Sequence, residues 1–178
     1  MRRRAKKPPP TSQPSAPAAP DRLGEHDGVV FQRERLAPIV RELLPLIERD
    51  YLENGVHNDR VPFALDLDAY LDYDLLGTLQ IITARDDGIL IGYLMALVSN
   101  KHIDHATVRW AILSWYWIFP EYRNQGIGQV LFITMLDFLK TAGVRVVEGS
   151  EKLAHKHGLF ERLKFEATDT LYRKVLED

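Results

Sequence analysis

The chain has 178 residues, 46% hydrophobic and 27% charged, with a formal net charge of −2 and no cysteine, a length and balance that fit one ordinary core. Disulfides, thiolate metal sites and cysteine nucleophiles are excluded. Residues 1–20 hold six of the ten prolines, five of the 23 Lys+Arg and no acid, which leaves 18 basic against 25 acidic residues in the remainder and no broad cationic surface there for nucleic acid.

In chain order, residues 1–24 read as a disordered basic, proline-rich arm, and residues 25–178 as the folded domain. Contact with nucleic acid or an acidic partner falls to the arm. The arm begins Arg2-Arg3-Arg4 without the apolar stretch of a secretory signal, and no segment approaches ~18 uninterrupted apolar residues, so a cytoplasmic protein is expected. Residues 29–33 predict a first strand. Leu36, Val40, Leu43, Leu44 and Ile47 mark one face of a helix, which Pro45 must either kink or restart. A second helix is predicted within residues 66–76, where Leu67, Tyr70, Leu71 and Leu75 share a face. Its Asp66, Asp68, Asp72 and Asp74 read as a solvated face suited to a cationic substrate rather than as a calcium loop. Residues 79–85 and 89–98, joined through Asp86-Asp87-Gly88, predict a hairpin. His102, Asp104 and His105 lie in a polar loop that lacks a fourth metal ligand. Residues 111–119 are β-branched and aromatic, and Pro120 ends the strand they predict. Val130, Leu131, Thr134, Met135 and Phe138 then recur at helical spacing as far as Ala142-Gly143, a helix stop.

The most informative stretch joins that strand to that helix: Phe119-Pro120-Glu121-Tyr122-Arg123-Asn124-Gln125-Gly126-Ile127-Gly128. An arginine, two spacers and Gly-x-Gly at a helix start leave a run of backbone N–H groups open at the positive end of a helix dipole. A pyrophosphate is the anion such a seat suits. The strand, the Pro-x-Tyr-Arg turn, the R-x-x-G-x-G pattern and the helix together resemble the GCN5-related N-acetyltransferase (GNAT) superfamily through Ile118, Pro120, Tyr122, Arg123, Gly126 and Gly128. The closing segment is similar too, with residues 144–147 as a strand, 153–163 as a helix, and 165–166 and 171–174 as short strands. The order β-α-α-β-β-β-α-β-α-β-β is an α+β one, and the GNAT fold implies a mixed central sheet of about six to seven strands with about four helices. Lys152-Leu153-Ala154-His155-x-His157 and Leu163-x-Phe165, with the Pro-Glu-Tyr-Arg turn, are especially similar to acetyltransferases encoded in phage genomes, which extends the expected location to an infected host cell.

The resemblance implies acetyl-CoA as donor and an amine as acceptor. Backbone amides of Asn124, Gln125, Gly126, Ile127, Gly128 and Gln129 suit the diphosphate, because glycine permits close approach. Arg123 either assists them or pairs with Glu121. Edge amides near Trp117, Ile118 and Phe119 are implied to pair with the pantetheine arm and to face the thioester carbonyl, while Trp115 and Trp117 read equally well as core aromatics on one side of the strand. A protonated amine must lose a proton before it attacks. The candidates for taking it are Glu148 at the end of the strand after the cofactor helix, Ser114 through water, and His155 or His157 near the next helix. Many family members carry a tyrosine on the last helix that protonates the departing thiolate. Phe160 stands at the matching place here, so Tyr172 or His155 must supply that proton or the thiolate leaves unassisted. Without a cysteine to carry an acyl group, direct attack in a ternary complex is favoured over a two-step route. The competing class is a scaffold that keeps the fold, and with it CoA or a macromolecular partner, without turnover.

Overall fold

A computed structural model describes residues 19–55, 60–100, 106–150, 158–172 and 174–175. A six-stranded sheet in the order β1-β2-β3-β4-β5-β6 forms the middle layer. The strands are β1 (Asp21–His26), β2 (Val29–Glu34), β3 (Leu79–Asp86), β4 (Ile89–Ser99), β5 (Trp110–Ile118) and β6 (Val146–Glu148). Neighbours pair antiparallel except β5 and β6, which are parallel and therefore need the crossover that α3 (Ile127–Thr141) supplies. On one face, α3 buries Ile127, Leu131, Phe132, Met135 and Leu139 against Phe31, Ile82, Leu94 and Ile118. On the other face, α1 (Leu36–Asn54) packs Ile39, Leu43 and Ile47 on Ile81, Tyr93, Met95 and Trp117, with α2 (Leu67–Leu75) beside it. A short α4 (Leu159–Arg162) follows β6. This is the α+β architecture expected, with six strands and four α-helices among the described residues.

Several boundaries differ from the sequence reading. β1 begins at Asp21, so residues 21–24 belong to the sheet and not to the basic arm. It pairs with β2 through Asp27 and Gly28, at φ 48° and 81°, the same left-handed pair that Asp87 and Gly88 form at φ 45° and 82° between β3 and β4. Two such residues give the twist a two-residue hairpin requires. Pro45 does not restart α1, which runs unbroken through it for 19 residues. Asp74 is not solvated: it is buried at 4% exposure. Its Oδ2 accepts from Leu36 N–H at 3.1 Å and its Oδ1 from Arg35 Nε at 2.8 Å, so α2 caps the N-terminus of α1, where Arg35 makes no side-chain cap of its own. β6 starts two residues later than expected. No strand forms at Phe165, Glu166, Leu171, Tyr172 or Lys174; Leu171 and Tyr172 are exposed and have no ladder partner among the described residues. Of the expected final helix, Leu159–Arg162 is helical, while residues 153–157 lie outside the described residues.

Candidate functional site

β5 carries an extra residue. Leu94 pairs with Tyr116 and Ala96 with Leu113, so Ser114 and Trp115 together face Met95, a bulge that bends the strand. Below it Ala111 and Leu113 face the α3 side; above it Tyr116 and Ile118 do, and Trp115 and Trp117 turn to α1 and α2. The core reading of the two tryptophans therefore holds. Trp117 is buried, and the Trp115 indole N–H donates to the Tyr70 hydroxyl at 2.7 Å.

The bulge sits where β5 and β6 separate. Only Trp110, Ala111 and Ile112 pair with β6, opposite Val146, Val147 and Glu148. From Leu113 to Ile118 the outer edge of β5 has no strand beside it among the described residues. Phe119 N–H donates to the Ile91 carbonyl at 3.0 Å, so it is engaged with β4 rather than free for a ligand. Alternation along an antiparallel ladder turns Trp117 the same way and Ile118 the other; Arg123 Nε indeed reaches the Ile118 carbonyl on the open edge at 2.9 Å. Of the three amides expected to meet pantetheine, the Ile118 N–H is the one on the open edge, and the same alternation places Tyr116 there.

The loop that leads into α3 is built by four anchors. Tyr122 O–H donates to Asp86 Oδ2 at 2.7 Å, Gln125 Nε2 donates to the Glu121 carbonyl at 2.6 Å, Ile127 is buried in the core, and Arg123 is held by α1. Between them Asn124 at φ 62° and Gly126 at φ 81° adopt left-handed conformations, which a glycine at the second position accepts without a steric cost. Gly126 then occupies the N-cap of α3 with no side-chain hydrogen bond, and no acidic residue lies in the first turn. The first intrahelical bond runs from Val130 N–H to the Gly126 carbonyl, so the amides of Ile127, Gly128 and Gln129 precede the helical ladder. Tyr116 projects from β5 under this turn. A Cβ on Gly128 would lie 2.3 Å from its hydroxyl, and burial pushes that phenol up to about 12, so it is neutral at physiological pH.

Arg123 does not pair with Glu121. Its two terminal nitrogens reach the two carboxylate oxygens of Glu53, with Nη2 to Oε2 at 2.8 Å, and the Trp117 indole N–H donates to the same Oε2 at 2.9 Å. The Glu53 hydrogen bond holds the guanidinium above its already high range, against the opposing effect of partial burial. One turn earlier on α1, Asp50 is buried beside Tyr93, whose phenol is raised far above the ordinary tyrosine range by burial and then by that carboxylate. Glu53, Asp50 and Tyr93 carry no signal in the sequence, and Tyr70 reads there only as part of the apolar face of the second helix. Glu53 lies 70 residues from Arg123, and no local pattern links them.

The candidate proton acceptors are spread unevenly. Glu148 is exposed at the end of β6, opposite Ile112, and Ser114 lies two residues further along β5 in the bulge, its Oγ 3.5 Å from the Met95 carbonyl. Both therefore flank the point where the strands part. Tyr172 is 86% exposed. His155 and His157 lie outside the described residues, as do His102, Asp104 and His105. Among the described residues no group of three or more His, Asp or Glu is placed to hold a metal ion, and no helix is long and apolar enough to cross a membrane. Phe160 packs edge-on against Phe132 and Phe165, at centroid distances of 5.7 and 4.8 Å, with its ring against Gly149.

No curated protein matches the sequence significantly. Solved structures share the fold. An aminoglycoside acetyltransferase from an uncultured soil metagenomic sample, in complex with sisomicin, superposes with a TM-score of 0.66 at 16% identity, over 85% of this chain and 98% of that one. A ribosomal-protein-alanine N-acetyltransferase from Brucella melitensis biovar Abortus gives 0.62 at 15% identity, over 84% and 99%. A predicted acetyltransferase with acetyl-CoA from Clostridium acetobutylicum gives 0.65 at 12%, over 83% and 96%. The Acetyltransferase (GNAT) family profile matches residues 41–165, a span from α1 through α4 that includes the bulged strand, the uncapped helix and the parted edge. The chain belongs to the acetyltransferase (GNAT) family.

Proposed function

We propose that the protein transfers an acetyl group from acetyl-CoA to an amine by direct attack in a ternary complex. The observation that carries this reading is the uncapped first turn of α3, entered through left-handed Asn124 and Gly126, next to an open edge of β5. The residues fit the donor. The amides from Asn124 to Gln129 would take the diphosphate, and the edge amides of Ile118 and Tyr116 would pair with the pantetheine. When bound, acetyl-CoA supplies an activated thioester. The chain's own task is to align that carbonyl and receive the amine's proton, for which Glu148, and Ser114 through water, flank the parting of β5 and β6. His155, His157 and Tyr172 stand as further candidates for proton transfer.

The folded part, with 18 basic against 25 acidic residues, favours a cationic acceptor through long-range attraction. Similar folds acting on an aminoglycoside and on a ribosomal-protein alanine mark the range, from a small polyamine to a protein N-terminus. A phage origin is part of the same proposal, supported by the likeness of the Pro-Glu-Tyr-Arg turn with residues 152–157 and 163–165, and the cytoplasm of a bacterium or an infected host cell is its proposed setting.

Phe160 favours a second reading, a CoA-binding scaffold without turnover, because its ring brings no hydroxyl to the place of the family's acid. A CoA thiol is acidic enough to leave without that help, so the transferase reading takes precedence. Thermal shift with acetyl-CoA and thiol release over a panel of amines separate the two. A transferase shows stabilisation and CoASH release, a scaffold only the first, and no affinity for any acyl-CoA would defeat both.

A further inference from the structure

Arg123 opens the R-x-x-G-x-G pattern, and in the structure its side chain is engaged by β5 and α1. Its Nε donates to the Ile118 carbonyl at 2.9 Å, and its two terminal nitrogens fork onto Glu53 at 2.5 and 2.8 Å. The same carboxylate accepts from the Trp117 indole at 2.9 Å, and the guanidinium lies 5.6 Å from the centre of that indole ring. A two-pronged Arg–carboxylate contact fixes direction as well as distance. The next residue, Asn124, is the first left-handed one of the loop. Fixing Arg123 thus fixes the point from which the loop turns toward α3.

We infer that Glu53, on the last turn of α1, is a positioning residue for the cofactor loop. It holds Arg123 against Trp117, so that the Asn124 to Gln129 amides are aimed before any ligand arrives. This inference rests on the acetyl-CoA reading above. Two accounts of Arg123 then differ in sign. If the guanidinium touches the diphosphate directly, removing Glu53 frees a cation for the ligand and affinity rises. If Arg123 acts through Glu53, removing either partner loosens the loop and affinity falls. Arg123 and Glu53 are 37% and 38% exposed, so the pair itself contributes little to global stability. Its loss is expected to register in ligand binding and not in unfolding.

The test is calorimetric titration of acetyl-CoA into the full chain and into Glu53→Gln, Arg123→Gln and the double variant, with urea unfolding of each. Each single variant is expected to weaken binding about five- to tenfold with a near wild-type unfolding midpoint, and the double variant to be no weaker than the worse single, as for two members of one contact. The salt dependence of binding is expected to be the same in Arg123→Gln as in wild type, because no cationic contact to the ligand is lost. Wild-type or tighter binding by Glu53→Gln, or a flattened salt dependence in Arg123→Gln, overturns the inference while leaving the acetyl-CoA reading intact. Absence of binding by the wild-type chain overturns that reading and the inference with it. Should Glu53→Gln not fold, Glu53→Asp keeps the charge but is too short for the fork. It is expected to weaken binding as well, and wild-type affinity there overturns the inference.

Discussion

At Gly128 a single methyl group decides the packing. A Cβ there would stand 2.3 Å from the Tyr116 hydroxyl but 3.5 Å from Tyr116 Cζ and from Ile118 Cδ1, so the conflict is with one oxygen and not with the ring or the core. Gly128→Ala is expected to destabilise the protein by roughly 1–3 kcal/mol, the usual range for overpacking. Adding Tyr116→Phe should restore most of that loss. Urea unfolding of the four-member cycle measures it, and an equal cost of the alanine in both backgrounds would refute the steric account. The glycine pattern itself is visible in sequence; the tyrosine that demands the second glycine is not, because it sits 12 positions upstream on a strand whose bulge decides which way it faces. Arg123 follows the same logic. Its place before the loop is legible, whereas its partner on α1 is known only once the two layers have packed.

Among elements, the hydrophobic runs at strand and helix period located β3, β4, β5, α1 and α3 well, since each buries a full stripe. β1 is not legible in the sequence because Asp-Arg-Leu-Gly-Glu-His leaves only exposed or half-exposed residues at the sheet edge; the Asp27-Gly28 pair is its one local signal. Asp74 reads as solvated in the sequence because its partners, Arg35 and Leu36, lie 38 or more residues away. A similar long-range tie fastens β2 to β3. Glu34, half-buried like Arg85, receives Arg85 Nε at 2.8 Å and the Thr83 hydroxyl at 2.6 Å. Burial by itself would raise its carboxyl, but the hydrogen bonds from Arg85, Thr83 and Gln32 outweigh it and bring the group below its ordinary 4.5. A carboxyl lowered in the folded state stabilises fully above its unfolded value and loses that contribution as pH falls through the folded one. Stability is therefore expected to drop below about pH 4.5 in part through Glu34. Glu34→Gln should cost about 1.5 kcal/mol at neutral pH, the range of a hydrogen bond to a charged group, since Arg85 keeps Glu42 at 2.9 Å and the Gly88 carbonyl at 2.8 Å, and it should make the acid limb shallower, as urea midpoints between pH 3 and 7 would reveal. An acid limb as steep as wild type would rule this out.

For the molecule as a whole, charge is divided along the chain. Removing residues 1–20 changes the formal net charge from −2 to −7, since five basic residues and no acid go with them. The sheet begins at Asp21, so this deletion is expected to leave the unfolding midpoint unchanged within error. If residues 1–20 carry the phosphate contacts expected of the arm, it should also abolish any salt-dependent retention on a DNA column. A lower midpoint would mean that the segment packs on the domain; retention that survives deletion would move the contact elsewhere.

Among the described residues, the three-residue pairing of β5 with β6 leaves the sheet with an unfinished seam. A ligand that lays its own amides along that seam would act as a substitute strand, closing a ladder that the polypeptide starts and abandons. Exchange of the Tyr116 and Ile118 amide hydrogens with solvent should then slow on acetyl-CoA binding far more than that of the already paired Trp117, so that the seam itself reports occupancy.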